Sequence, residues 1–410
     1  MSLVLDPALD LGRDGERMNS DDARRQTATV NRLLKAFTAE PDDRRELQLL
    51  ADEVGLGKTF VALATGYTLM NFVRTKRDLA AQAGLGQCGG AMIVVVPSSL
   101  TKKWAREVEA LRTRCSTDPR RTDWFRGRIC DDVYDLADGV RRASDLRRSP
   151  AKNPCVLICS SGIFGKRVAQ RGWSLRFLAA CLFRWWGNRL SMHERFRIVS
   201  RAAEVPEFAD WASSARRKSG GYEVDLWNFA SHEEYLTASE SERADWPREA
   251  QVICDATPFV YEDVRRALDA FNRTEAGRRL LENDATELRD GHEEQVGLLP
   301  FCKDAAQRRG HADWYFRGFQ LRLADLYKKL ARHLIERDVP LVVVDEAHHW
   351  RNAQRQDCKL FGEHLAPLTR RMLLLTATPF QLHSDELLNV LAAGDKMEAA
   401  IGADRVQRLQ

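Results

Sequence analysis

A Gly-Lys-Thr step and a pair of adjacent carboxylates are the residues of this sequence best suited to chemistry. Asp52-Glu-Val-Gly-Leu-Gly-Lys-Thr59 ends as a phosphate-binding loop ends, although Asp52 stands where the general pattern has its first glycine. Gly55 and Gly57, with Leu56 between them, let backbone N–H groups turn toward a phosphate without a side chain in the way. Lys58 is suited to neutralise β- and γ-phosphates, and Thr59 offers a hydroxyl to Mg²⁺. Leu341-Val-Val-Val-Asp-Glu-Ala-His-His349 sets two acids at the end of an apolar run. Asp345 is expected to hold Mg²⁺ and Glu346 to orient and deprotonate the attacking water, a division of labour that phosphoryl transfer to water requires. His348 is expected to relay nucleotide state to its neighbours, and His349 to pack or cap. ATP and Mg²⁺ are the cofactors these residues imply.

Such residues need rigid elements behind them. Glu46 to Ala51 is a short apolar run that enters the glycine-rich turn, and Thr59 to Val73 reads as the helix leaving it. That helix would present its positive N-terminal end to the same anion. Met92 to Pro97, Cys155 to Cys159, Leu341 to Asp345 and Met372 to Thr376 are continuous, largely β-branched or leucine-rich runs, the pattern of strands buried on both faces. Helices are expected over 22–37, Leu100 to Leu111, Tyr261 to Leu281 and Leu321 to Glu336. Strands alternating with helices predict an α/β fold with a parallel sheet, and ligands in such sheets bind outside the carboxyl ends of the strands.

The 410 residues are 44% hydrophobic and 30% charged, too apolar for a disordered chain and long enough for two or three domains. Nine cysteines without a CxxC pair do not make a disulfide scaffold and point to reduced thiols and a cytoplasmic setting. No run approaches a membrane span, and the acidic start, with Asp6, Asp10 and Asp14, is unlike a secretory signal. The net charge of +4, from 63 basic and 59 acidic residues, by itself says nothing about nucleic acid.

With these motifs in place, the chain resembles superfamily 2 helicases and translocases, specifically the Swi/Snf-like branch, which writes its phosphate loop as Asp-Glu-x-Gly-Leu-Gly-Lys-Thr. Gln26 resembles the upstream glutamine that reads adenine. Val96-Pro-Ser-Ser-Leu-Thr-Lys-Lys-Trp104 resembles motif Ia and Ile158-Cys-Ser-Ser161 occupies the place of motif Ib. The resemblance therefore implies that Ser98, Ser99, Ser160 and Ser161 face DNA. Asp345-Glu-Ala-His348 resembles motif II, and Leu375-Thr-Ala-Thr-Pro379 resembles motif III, whose Thr376 and Thr378 would couple hydrolysis to DNA movement. The longer strings around these motifs look most like bacterial RNA-polymerase-associated translocases and phage-defence helicases of the branch. The implied fold is a single RecA-like P-loop lobe, interrupted by a large, mostly helical insertion. The implied activity is ATP-dependent movement on DNA, with duplex DNA as the expected partner and no membrane.

Read residue by residue, several roles have ordinary alternatives. Gln26 could be an exposed helix residue, the serines plain helix caps, and Thr376 and Thr378 turn-stabilising hydroxyls. Trp104 is as well suited to anchoring its helix in the core as to touching DNA.

The expected organisation is a flexible lead over 1–21, a first part of the lobe over 22–165, an insertion over 166–335 and a second part over 336–410. Two features depart from the branch. The insertion opens with a stretch, Ile163 to Leu190, that carries Lys166, Arg167, Arg171, Arg176, Arg184 and Arg189 among Phe164, Trp173, Phe177, Phe183, Trp185 and Trp186, and no acid. Such a mixture suits phosphate contact and base stacking, and equally an amphipathic helix with its aromatics inside. The sequence also shows no counterpart of the second lobe and its arginines. The corresponding expectation is a chain that binds nucleotide but hydrolyses it poorly, or a nucleotide-sensing interaction subunit. Its insertion or its incomplete lobe would then dock a protein partner.

Overall fold

A computed structural model describes residues 3–16, 18–51, 57–144, 155–163, 172–191, 193–195, 215–218, 221–224, 227–255, 257–282, 297–307, 312–335, 337–350 and 365–376. The chain divides into two compact units, Met1–Lys166 with Ile335–Gln410, and Arg167–Leu334.

The first unit is built on six parallel strands: β1 (Leu47–Ala51), β2 (Met92–Val96), β3 (Gly127–Cys130), β4 (Val156–Ser160), β7 (Leu341–Val344) and β8 (Met372–Thr376), the labels β5 and β6 being kept for a hairpin in the second unit. Their order in the sheet is β1-β8-β7-β2-β4-β3. Every residue of β2, β4, β7 and β8 is buried, as expected of β-branched and leucine runs covered on both faces. The register brings the strand ends level: Ala51 pairs with Thr376, Val344 with Leu374, Val95 with Val344, and Val96 with Ser160. All these strands therefore deliver their C-terminal residues to one edge of the sheet.

Among the described residues, six α-helices belong to this unit: α1 (Ser20–Thr38), α2 (Lys58–Thr75), α3 (Arg77–Gln82), α4 (Thr101–Arg114), α5 (Pro119–Thr122) and α6 (Val133–Ser144). Asn19 caps α1 by accepting from the backbone N–H groups of Asp21 and Asp22. α2 is buried almost all round from Phe60 to Val73, so it is a core helix rather than an amphipathic one. α4 buries only Trp104, Val108 and Leu111, a single stripe.

The lead is not the flexible segment expected over 1–21. Ala8, Leu9 and Leu11 belong to the hydrophobic core. Asp10 N–H donates to Cys115 O at 2.8 Å and Thr117 N–H to Ala8 O at 2.9 Å, so the lead runs against the end of α4. Three apolar side chains and a short ladder outweigh the polar composition that suggested disorder.

The second unit is helical as expected, but it also holds an antiparallel hairpin, β5 (Ala215–Lys218) and β6 (Gly221–Val224), which the sequence reading did not anticipate. The helix expected over Tyr261 to Leu281 is two, Tyr261–Asn272 and Glu275–Glu282. Thr274 Oγ1 donates to Phe271 O and accepts from Gly277 N–H, closing one helix and capping the next. α7 (Gly172–Trp186) covers part of the aromatic-basic stretch. Phe177, Phe183 and Trp186 are buried, Trp185 Nε1 donates to Asp269 at 2.8 Å, and Arg184 stacks 4.3 Å from the Tyr261 ring centroid. Arg189 pairs with Glu282. The described side chains form a packed helical face: three aromatics are buried, Trp185 is held by a carboxylate, and Arg184 and Arg189 find a ring and a carboxylate. Phe164, Lys166, Arg167 and Arg171 lie outside the described residues, as does the side chain of Trp173. No described helix is long and apolar enough to cross a membrane.

Candidate nucleotide site

The C-terminal edge of the sheet gathers the residues singled out for chemistry. β1 leads to Gly57, Lys58 and Thr59; β7 ends immediately before Asp345 and Glu346; β8, between them, ends in Thr376. With neighbouring strands ~4.8 Å apart, the ends of β1 and β7 stand about 10 Å apart. Asp52 to Leu56, including Gly55, lie outside the described residues, as do Ala377, Thr378 and Pro379.

Gly57 is the N-cap of α2 and adopts φ 86°, ψ 20°, a left-handed conformation that favours glycine. A Cβ at this position would lie 2.0 Å from Gln26 Nε2. Gln26, 4% exposed on α1, is therefore buried against the backbone that leads into Lys58 rather than exposed on its helix. Lys58 and Thr59 form the first turn of α2, where its positive end faces the strand edge.

Asp345 is held from three sides. Its backbone N–H donates to Val95 O at 2.9 Å, which ties it to β2. Its Oδ1 accepts from Glu346 N–H at 3.0 Å and its Oδ2 from Trp104 Nε1 at 2.8 Å. Glu346 has φ 52° and is the one non-glycine residue with a positive φ among the described residues. Such backbone costs about 1–2 kcal/mol and persists only where its surroundings impose it, commonly at functional sites. Glu346 Oε2 lies 3.3 Å from His348 Nδ1, which in turn lies 3.5 Å from Thr376 Oγ1. A continuous contact thus joins the carboxylate after β7 to the last residue of β8. The side chain of His349 lies outside the described residues.

The donor set suits a magnesium nucleotide. A carboxylate and a hydroxyl are hard oxygen ligands, and Mg²⁺ is typically held by one or two carboxylates together with phosphate oxygens and water. The left-handed Gly57 turns the chain directly into Lys58 and Thr59, with the Gln26 amide filling the space a side chain there would need.

The four serines divide. Ser98 and Ser99 form an exposed turn, Ser98–Leu100, between β2 and α4. Ser161 is half-buried, beginning the turn Ser161–Ile163. Ser160, expected to face DNA, is 7% exposed, because it is the last residue of a strand covered on both faces. Trp104 is 1% exposed, so of its two readings the core anchor holds and surface contact with DNA does not. Its bond to Asp345 went unforeseen, since nothing in the sequence links residues so far apart.

Residues 35–116 match the family model of the SNF2-related domain. The matched span runs from the end of α1 through β1, α2 and β2 to the end of α4, and it points to an ATPase-type family. It is consistent with a Swi/Snf-like superfamily 2 ATPase lobe. No curated protein matches the chain.

Proposed function

We propose that the chain is the ATP-binding lobe of an ATP-dependent DNA translocase, working with Mg²⁺. The observation that carries this reading is the meeting of Lys58-Thr59, Thr376 and Asp345-Glu346 at the C-terminal ends of three adjacent parallel strands, the edge where open α/β sheets bind ligands. Lys58 neutralises the β- and γ-phosphates, while Gln26 contacts the base. Thr59 and Asp345 are the residues that would hold Mg²⁺, which supplies charge neutralisation at the phosphates when bound. Glu346 orients the attacking water and accepts its proton as the γ-phosphoryl group is transferred, leaving ADP and phosphate. His348 and Thr376 carry the change at Glu346 to β8.

Ser98, Ser99 and Ser161 lie on the side of the lobe that would contact DNA, and duplex DNA is the proposed substrate. The setting proposed is the cytoplasm, in keeping with the reduced cysteines. The helical unit, in which Phe177, Phe183 and Trp186 are buried, is proposed to dock a protein rather than nucleic acid.

The test is ATP hydrolysis by the full chain with duplex DNA, with RNA and with neither. Duplex DNA is expected to raise the rate above both other conditions. Glu346→Gln is expected to abolish the stimulated rate while keeping nucleotide binding. Undiminished hydrolysis in Glu346→Gln removes the assignment of the base, and equal stimulation by RNA removes the assignment of DNA.

A further inference from the structure

We infer that Trp104 is a positioning residue for the metal carboxylate: its indole N–H fixes the orientation of Asp345 before any metal nucleotide arrives. The inference rests on the reading of Asp345 as a Mg²⁺ ligand and adds to it a residue that neither composition nor spacing assigns to the site.

The argument begins with α4. Trp104, Val108 and Leu111 occupy one helical stripe and are each 1% exposed or less, so the indole is clamped in the core and its direction is set by packing. An indole nitrogen is a donor only and does not titrate near neutral pH. Its one polar atom therefore has a single use, and here it donates to Asp345 Oδ2 at 2.8 Å, the length of a bond to a charged acceptor. Glu346 N–H holds the other oxygen, Oδ1, at 3.0 Å. With one donor on each oxygen, the carboxylate cannot rotate without breaking a bond. A carboxylate offers about four lone-pair directions, so two remain for a cation or its water.

The two donors are of different kinds. The Glu346 N–H is placed by the strained backbone of its own turn, at φ 52°. Trp104 is placed by another helix, far away in sequence, and so holds Asp345 in the direction the turn alone leaves open. Partners of this sort, one shell behind a metal ligand, typically change metal affinity by 10–100-fold when lost.

The test compares the wild-type full chain with Trp104→Phe, which keeps an aromatic ring and deletes the donor. The probe is a fluorescent ADP, titrated once with Mg²⁺ and once with EDTA. The ratio of the two affinities is the quantity read. In Trp104→Phe the affinity in EDTA is expected to stay within twofold of wild type, while the gain conferred by Mg²⁺ falls by about tenfold or more. A wild-type gain in Trp104→Phe overturns the inference, and so does an equal loss in both conditions, which would make Trp104 merely structural. If the wild-type chain itself gains nothing from Mg²⁺, the nucleotide-site reading fails and takes this inference with it; a normal wild-type gain that survives in Trp104→Phe defeats the inference alone.

A second measurement avoids altering Trp104, in case the smaller ring leaves a void that prevents folding. Of the ten indole N–H resonances in protein labelled at tryptophan nitrogen, the one moved by Asp345→Asn is expected to move again when Mg²⁺ is added to the ADP-bound wild type. A resonance that answers to Asp345→Asn and ignores Mg²⁺ overturns the inference.

Discussion

Glu346, the proposed base, conflicts with the backbone that carries it. A long β-unbranched side chain gains nothing from a left-handed backbone, yet φ is 52° at this position. Glycine adopts that conformation without the Cβ clash. Glu346→Gly is therefore expected to stabilise the chain by about 1 kcal/mol while eliminating hydrolysis. Urea denaturation read beside an ATPase assay checks both halves, and a loss of stability would show that the turn is not strained. Gly57 is the converse case: its φ of 86° strains any residue with a Cβ, and a Cβ there would also have to displace the Gln26 amide. That glycine was legible in the sequence, because phosphate loops need one there. The strain at Glu346 was not, because a positive φ at a glutamate follows from the tertiary position of the strand end and has no signature in residue type.

The strands were the most legible elements. β8 was expected at Met372 to Thr376 and is found there, and β2, β4 and β7 differ by a residue at their ends. Apolar runs with β-branched residues leave little choice when both faces must be covered. β3, Gly127–Cys130, was missed because an edge strand of four residues, one of them charged, has neither alternation nor a continuous apolar run. β8 also depends on a residue that polarity alone would place on the surface. Arg371, fully buried just before the strand, donates from Nε to Phe37 O at 2.7 Å and from Nη2 to Ala83 O at 2.5 Å, and its Nη1 lies 3.5 Å from Glu46 Oε1. Burial pushes the guanidinium down to about 10, which still leaves it charged at neutral pH. It thereby ties α1, the turn after α3 and the entry to β1 together. Arg371→Leu leaves two buried carbonyls without their donor, and the expected loss is about 3–5 kcal/mol in urea denaturation. A loss under about 1 kcal/mol would mean that water replaces the guanidinium.

Within the helical unit, His232 is 3% exposed, its Nε2 2.8 Å from Thr257 O and its ring edge-on to Phe177 and Trp227. Burial lowers its pKa below the ordinary histidine value, outweighing the opposing pull of the Thr257 carbonyl. The unfolded chain, titrating near ~6.5, then binds the proton more readily than the folded one. Stability is present above that pH and is lost as the pH falls below it toward the lowered folded value. The thermal midpoint of the full chain is expected to drop between pH 7 and pH 5, and to drop less in His232→Gln. Burial and Arg332 shift His333 in the same direction, so some dependence survives in that variant. An unchanged slope in His232→Gln would show that His232 is not protonated on unfolding.

At the scale of the whole molecule, two units carry different burdens. The sheet unit gathers three strand ends into a candidate nucleotide site, and residues 35–116 of it match the SNF2-related domain. The helical unit, Arg167–Leu334, uses its arginines and aromatics to hold itself together where they are described. Five of the matching strings lie at or just after the ends of β1, β2, β4, β7 and β8, whose apolar runs are plain in the sequence, whereas Gln26 stands on α1. The packing of the lead was not legible there, since Ala8, Leu9 and Leu11 are too few to form a periodic pattern. The account as a whole stands on the nucleotide site, and binding tests it without requiring turnover. The measurement is equilibrium binding of ATP with Mg²⁺ to the full chain and to Lys58→Ala. Removing the cation at the first turn of α2 is expected to weaken binding by at least about tenfold with the fold intact, in line with the loss of a charge-assisted contact to phosphate. Equal affinity in Lys58→Ala, or no ATP binding by the wild-type chain, would contradict the account.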